Sequence, residues 1–290
     1  MSTAVLIVNF KAYAELGGAL DSVIPALRSD DEVVVVDHAS DGERIRWIAE
    51  THPRATIIAS DDNPGFAAGI NRAAKASRAP FMLFLNPDAR IEESALRVLE
   101  QWLCDHPECG AVGPRILNAD GTLQPSARRF PGLSTVFGGR STWLTRHFPH
   151  NWFSERNLVA RDATTPQNVD WIAGACIMTR RDVFERLGGL DDAFFLYWED
   201  ADYCRRLRDA GLRCTYLPQV SARHAGGVSA RYDLPRSIRS FHASAFHLFH
   251  KYSGPVGRLV SPLARAGLFL RGELRVWQAK RIRDRVSDSQ

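Results

Sequence analysis

Apolar residues fall into two patterns along this chain. Residues 4–8, 33–36, 55–59 and 81–85 are short apolar runs without alternation, rich in Val, Ile and Leu, the pattern of strands covered on both faces. Between the first two runs, Leu16, Leu20, Val23, Ile24 and Leu27 recur at helical spacing and predict a helix over residues 13–27. Further helices are expected over 43–50 and 92–104. The alternation of strand and helix implies a doubly wound, mostly parallel sheet flanked by helices.

Two of these strands end in a carboxylate, and ligands of open α/β sheets sit outside the carboxyl ends of strands. Strand 32–37 ends in Asp37, and the run Phe81 to Leu85 leads through Asn86-Pro87 to Asp88. Pro87 fixes the backbone before Asp88 and so aims it. Each carboxylate has a plainer reading: Asp37 as a turn residue, and Asp88 as the N-cap of the following helix. The turn after the first strand, Asn9-Phe10-Lys11-Ala12-Tyr13, has no glycine. A dinucleotide oxidoreductase needs glycines there for its pyrophosphate, so that class is disfavoured.

The second half holds shorter strands expected over 110–117 and 214–218, and a Trp-, Phe-, Gly- and Pro-rich insertion over 130–169, expected to be long and mobile over the site. Arg128 and Arg129 suit bidentate phosphate contacts or form a solvated basic loop. Phe194 to Trp198 form an apolar, aromatic wall before Glu199, Asp200 and Asp202, which are expected in the first turn of a helix. Such acids complement the helix dipole, and a carboxylate held there also suits a general base.

Asp37 with Ser40, the run Asn63-x-Gly65-Phe66-Ala67-x-Gly69-x-Asn71, and Asn86-Pro87-Asp88 resemble the successive nucleotide-sugar motifs of the inverting family 2 glycosyltransferases, which have a GT-A fold. The resemblance is closer to the bacterial rhamnosyltransferase branch and covers residues 4–252. It implies that Asn9, Asp37, Asn63, Gly65, Phe66, Asn71, Asn86 and Asp88 hold the nucleotide-sugar. It implies Asp200 as the base, with Glu199 binding the acceptor or orienting that base. The sequence His224-Ala225-Gly226-Gly227-Val228-Ser229 resembles the family's late metal-binding loop, making Asp88 and His224 ligands of a divalent cation, Mg²⁺ or Mn²⁺. Arg128, Arg129, Trp198, Ser229 and Arg231 are then expected on acceptor or phosphate. The family usually has Asn where this chain has His38, and many relatives have Asp where it has Asn86.

The likeness implies dTDP-rhamnose as donor and a lipid-linked glycan acceptor. Competing readings are a UDP-sugar donor or non-lipid acceptor, and a catalytically silent glycan-binding scaffold. Residues 1–237 are expected to form the catalytic domain, with a nucleotide-binding half at 1–117 and a catalytic half at 118–237, and 238–290 a helical extension. The chain's formal charge is +4, yet residues 251–290 carry nine Lys or Arg against three acids. That placement argues against nucleic acid as a partner and suits either an interfacial helix on an anionic membrane or a solvated covering helix. His242, His247 and His250 follow no ligand spacing and are expected to pack. Five cysteines without a CxxC pair fit no disulfide framework or cysteine-based zinc site. No signal peptide or membrane-length run is legible. A cytoplasmic location, peripheral at the inner membrane face, is the expectation, and a homo-oligomer is compatible with it.

Overall fold

The computed structural model describes residues 1–130 and 163–287; the side chains of Ser229 and 283–287 also lie outside the description. The expected insertion therefore falls largely outside the described residues. Four strands form a parallel half-sheet in the order β3 (Ala55–Ser60), β2 (Glu32–His38), β1 (Thr3–Phe10) and β4 (Phe81–Leu85). Helices α1 (Tyr13–Val23), α2 (Gly42–Thr51) and α3 (Phe66–Lys75) connect them. Alternate residues of each strand enter separate cores: Val5, Ile7, Val33 and Val35 pack on one side, and Leu6, Val8, Val34 and Val36 on the other. Burial on both faces is why these strands show no polar alternation.

The sheet turns mixed beyond β4. Strand β5 (Ala89–Ile91) follows Asp88 directly, and α4 (Ala95–Asp105) begins only after Ser94. Asp88 therefore does not cap a helix, which removes its plainer reading. Strand β6 (Cys109–Leu117) and hairpin strand β7 (Leu123–Gln124) precede the short β8 (Ala127–Arg128), β9 (Gln167–Val169) and β10 (Trp171–Ile172). Strand β11 (Cys176–Arg180) inserts antiparallel between β4 and β6.

Helix α5 (Arg181–Arg186) leads to a loop and then α6 (Glu199–Asp209), whose first turn carries the three expected acids. Strand β12 (Arg213–His224) pairs parallel with β6 and antiparallel with β5. Helix α7 (Val228–Tyr232) precedes α8 (Leu234–Tyr252) and α9 (Pro255–Ser287). The domain boundary expected after residue 237 thus falls inside α8. Arg239 pairs with Glu273, His242 faces Gly272 and His250 meets Ser261, so α8 and α9 form an antiparallel pair.

Helix α8 is packed into the catalytic half. Ser244 Oγ donates to the Leu196 carbonyl at 3.0 Å, and Lys251 Nζ reaches Asp191 at 2.6 Å and Asp202 at 2.7 Å. Asp202 is fully buried and also accepts from Arg206 and the Tyr252 hydroxyl, each at 2.8 Å. Such a carboxylate joins α6 to α8 and is structural, since burying it unpaired would cost several kcal/mol, on the order of 3–5. His242 contacts the Ile238 carbonyl, and His247 lies over Phe194 and near Asp191. The three histidines of α8 thus have separate surroundings.

Candidate active site

The parallel half brings its donor-side residues together by register. Asn9 and Asp37 are opposite one another at the carboxyl ends of β1 and β2. Asn9 Nδ2 donates to Asp37 Oδ1 at 2.7 Å. The Tyr13 hydroxyl donates to Oδ2 at 3.1 Å, and Ser40 Oγ bonds the same oxygen. Tyr13 also accepts from the Asp41 amide at 2.7 Å, and Asp41, not Asp37, caps α2. Burial, the charges of Asp37 and Asp41 and the bond to Asp37 outweigh the Asp41 amide and push the Tyr13 hydroxyl up to about 12. Asp37 is therefore a buried acceptor held in one orientation, while Asn9 Oδ1 is buried and has no partner.

His38 points to the opposite face of β2, under α3. Its Nε2 donates to the Gly65 carbonyl at 3.2 Å, and burial lowers its pKa, which favours the neutral ring. Gly65 has φ of +105°, and a Cβ there would stand 2.3 Å from the Phe195 carbonyl oxygen. Only glycine fits this approach. Asn63 Oδ1 accepts from the Gly65 amide at 3.1 Å, and the partly buried Phe66 donates its amide to the Phe195 carbonyl at 2.8 Å. Asn71 is occupied elsewhere: its amide donates to the Leu190 carbonyl at 2.8 Å and to Asp192 at 2.6 Å, and it accepts from the Leu190 amide at 2.9 Å. It ties α3 to the loop before α6.

Strand pairing also brings the two expected cation ligands together. His224 is in register with Ala89, and the Ala225 amide donates to the Asp88 carbonyl at 3.1 Å. The imidazole Nε2 lies 3.2 Å from Asp88 Oδ1 and 3.2 Å from Asn86 Nδ2. Its other nitrogen, Nδ1, is 2.7 Å from Gln124 Oε1. An amide oxygen can only accept, so Nδ1 carries the proton and Nε2 presents its lone pair toward Asp88. With the ring protonated, burial raises the pKa of Asp88, but the Nε2 bond, the ring's charge and the Val228 amide outweigh this and hold the carboxyl below its ordinary value; a cation would take the place of that Nε2 proton. An ionised oxygen and an imidazole lone pair facing one another, with the ring oriented by an amide behind it, fit a divalent cation. No cluster of three or more His, Cys, Asp or Glu suited to a metal occurs among the described residues, and Asp88 with His224 would supply two ligands of such a cation.

The third group is the acid pair at the start of α6. Asp200 Oδ2 accepts from the Gly174 amide and Oδ1 from the Ala201 amide, both at 2.7 Å. Burial raises its pKa, and the two amides and the charge of Arg128 oppose the rise. Glu199 is pushed up further by burial and by the neighbouring Asp200 charge, and its Oε2 is buried without a partner. Burial raises both members of this pair, Glu199 the more, and the two amides aimed at Asp200 favour its ionised form, which suits a base. Tyr197 and Trp198 before them adopt φ of 68° and 71°. Left-handed backbone at a non-glycine residue costs about 1–2 kcal/mol each. Lys11 and Ala39, just after β1 and β2, are the other positive-φ non-glycine positions among the described residues. All four flank this site, where strain is retained for geometry.

Arg128 stacks at 5.1 Å over Trp171, which places it on the acid-pair side. Arg129 is exposed, and its carbonyl accepts from Trp171 Nε1 at 2.9 Å. Arg231 is exposed in α7, and Ser229 belongs to the same helix. Sequence reasoning gave no role to Tyr13, Gln124 or Gly174, whose contributions come from long-range pairing or from a backbone amide.

The profile of glycosyl transferase family 2 matches residues 4–188, a span that includes β1 through β11 and α5. The chain belongs to glycosyl transferase family 2. Over 284 residues it is 26% identical to an N-acetylglucosaminyl-diphospho-decaprenol L-rhamnosyltransferase of Mycobacterium tuberculosis, covering 94% of this chain and 92% of that protein. It is 28% identical over 225 residues to the low-salt glycan biosynthesis hexosyltransferase Agl10 of Haloferax volcanii, covering 76% of this chain and 66% of the relative. Among solved structures it resembles the mannosyltransferase PcManGT of Pyrobaculum calidifontis, in complex with GDP-Man and Mn²⁺, with a TM-score of 0.58 and 20% identity over 92% of this chain and 69% of that one. The fold is GT-A, and this family 2 member is a glycosyltransferase.

Proposed function

We propose that this glycosyltransferase moves L-rhamnose from dTDP-rhamnose to a polyprenyl-diphosphate-linked glycan precursor, with inversion. The observation that carries the reading is the Asp200 carboxylate held by the Gly174 and Ala201 amides at the start of α6, separate from the Asp37 and Asp88 groups at the strand ends. One base serves one displacement. The near full-length likeness to a rhamnosyltransferase acting on a diphospho-decaprenol acceptor supports the sugar and acceptor class.

In this reading Asn9 and Asp37 hold the base or ribose, and the Asn63-to-Phe66 turn fits against the nucleotide-sugar. Asn71 positions the turn from behind. Asp88 and His224, with Asn86 beside them, would hold a divalent cation, which would supply neutralisation of charge on the departing diphosphate. Arg128, Arg129, Ser229 and Arg231 are proposed for acceptor or phosphate contacts. Asp200 takes the proton of the acceptor hydroxyl as that oxygen attacks the anomeric carbon from the face opposite the diphosphate. The bond to the diphosphate oxygen breaks, dTDP leaves, and the anomeric configuration inverts. Calorimetric titration with dTDP-rhamnose, UDP-galactose and UDP-N-acetylglucosamine tests the donor: selective, EDTA-sensitive binding of the first is expected. Selective binding of a UDP-sugar would discard rhamnose.

Helix α9 supports a membrane-surface acceptor. No described helix is long and apolar enough to cross a bilayer. Leu259, Leu263, Leu270, Leu274 and Trp277 nevertheless form one stripe along α9, each half or more exposed, on the side away from the Ser261, Gly272 and Val276 face. Arg281 stacks on Trp277 at 4.2 Å within that stripe, while Arg265 lies on the other side of the helix, 5.9 Å from the Phe246 ring. An exposed apolar stripe with an aromatic anchor, on a tail with a surplus of Lys and Arg, suits an anionic bilayer surface. The full chain is expected to sediment with phosphatidylglycerol vesicles at low salt. The double variant Leu259→Glu, Leu263→Glu should stay in solution, and equal sedimentation of both would exclude this stripe as the membrane site.

A further inference from the structure

Helix α8 meets the site at one ring that the donor and proton-transfer roles leave unused. The Phe241 ring centroid lies 5.6 Å from that of Tyr197 and 5.5 Å from that of Trp198. Trp198 in turn lies 6.0 Å from Trp171, which carries the Arg128 guanidinium. The rings make a continuous aromatic wall from Arg128, beside Asp200, out to α8. Its outer member is open: Phe241 is 41% exposed, although its neighbours on α8 at 237, 242, 244 and 248 are buried. Burying a phenylalanine fully is worth about 1.5–3 kcal/mol, so packing alone does not account for a ring left exposed at this point.

Two polar atoms at the inner end of the wall are unpaired. Trp198 Nε1 and Glu199 Oε2 are both buried without a hydrogen-bond partner, and such groups call for a completing water, ion or ligand. An apolar aromatic face bordered by unpaired donors and acceptors matches a hexopyranose, which has a C–H face and a rim of hydroxyls. The wall ends at the acid pair, the position of the reacting hydroxyl, and its member Tyr197 also feels the Asp88 charge of the donor side.

We propose that Phe241 is the outer wall of the acceptor-sugar subsite, stacking on the C–H face of the acceptor's hexopyranose while Asp200 faces the hydroxyl that reacts. The inference rests on the transferase reading above and deepens it by assigning the acceptor ring a place. Acceptor recognition is then built partly on α8, beyond the segment 4–188 that carries the family pattern.

The test compares Phe241→Leu and Phe241→Trp with the wild type, using a short-prenyl diphosphate-linked N-acetylglucosamine as acceptor. Leucine keeps apolar bulk against Tyr197 and Trp198 but lacks the ring. Its acceptor KM is expected to rise about tenfold, the scale of one lost stacking contact, while the calorimetric Kd for dTDP-rhamnose is unchanged. Tryptophan is expected to keep acceptor KM near the wild-type value. An unchanged acceptor KM in Phe241→Leu would overturn the subsite, as would a fall in kcat at constant acceptor KM, which marks a buttress only. A wild type that binds dTDP-rhamnose but leaves this acceptor untouched would overturn the acceptor class and the subsite with it.

Discussion

Replacing Asp200 with Asn is expected to lower the rate of sugar transfer by about 10²- to 10⁴-fold, the range for removing a positioned base. The amide has nearly the same shape and its oxygen can still accept from Gly174, so the loop before α6 is expected to hold. Donor affinity is expected to remain, because the donor cradle lies on β1, β2 and β4. The pH profile carries the same assignment. Asp200 works only when ionised, so the rate falls as pH falls through its pKa. Burial raises that pKa above the ordinary aspartate value, so the acid limb of kcat/KM should lie above the usual aspartate range. The carboxylates titrate as a pair, and the limb reports the pair. Full activity in Asp200→Asn would remove the base from this position.

The second large effect concerns the cation. Asp88→Ala and His224→Ala should each weaken Mn²⁺-dependent binding of the donor by about 10- to 100-fold or more, on the scale of losses at metal sites. The readout is calorimetric and independent of turnover: the wild type should bind dTDP-rhamnose more tightly with Mn²⁺ than with EDTA, and the variants should lose that difference. A His224→Ala protein that keeps the full cation dependence would exclude the imidazole as a ligand.

The parallel half of the fold was legible because its strands are apolar on both faces and its helices keep a clean period. The same logic misses β11, which joins the sheet antiparallel between β4 and β6: strand direction is not written in a run such as Cys176 to Arg180. Asp88 remained ambiguous between a cap and a ligand for a related reason. What sets it beside His224 is the pairing of Ala89 with His224, a contact across 135 positions that no local pattern contains. Gln124 was invisible as an orienting group because it reaches His224 only through the β6 and β7 hairpin. Asn71 illustrates the converse, since a motif position expected at the sugar has its amide engaged by Leu190 and Asp192.

Residue 237 lies inside α8, and that helix is bonded to the elements before it. Ser244, Lys251 and Tyr252 bond directly to the loop and helix that carry the acid pair. Helix α8 therefore braces the strained Tyr197-Trp198 turn, while the exposed stripe of α9 faces away from it. The family 2 match stops at residue 188 and reaches neither the acid pair nor this support.

The central claim is inverting transfer of rhamnose by one base, and the most direct measurement is the reaction itself with its stereochemistry resolved. Purified protein, Mg²⁺ or Mn²⁺, dTDP-rhamnose and a polyprenyl-diphosphate-linked N-acetylglucosamine are incubated together, and the anomeric configuration of the product is read by NMR. The account predicts one rhamnosyl group added per acceptor, with the configuration opposite to that in the donor. A product that retains the donor's configuration would contradict the single-base mechanism, and product formed only from a UDP-sugar would contradict the donor.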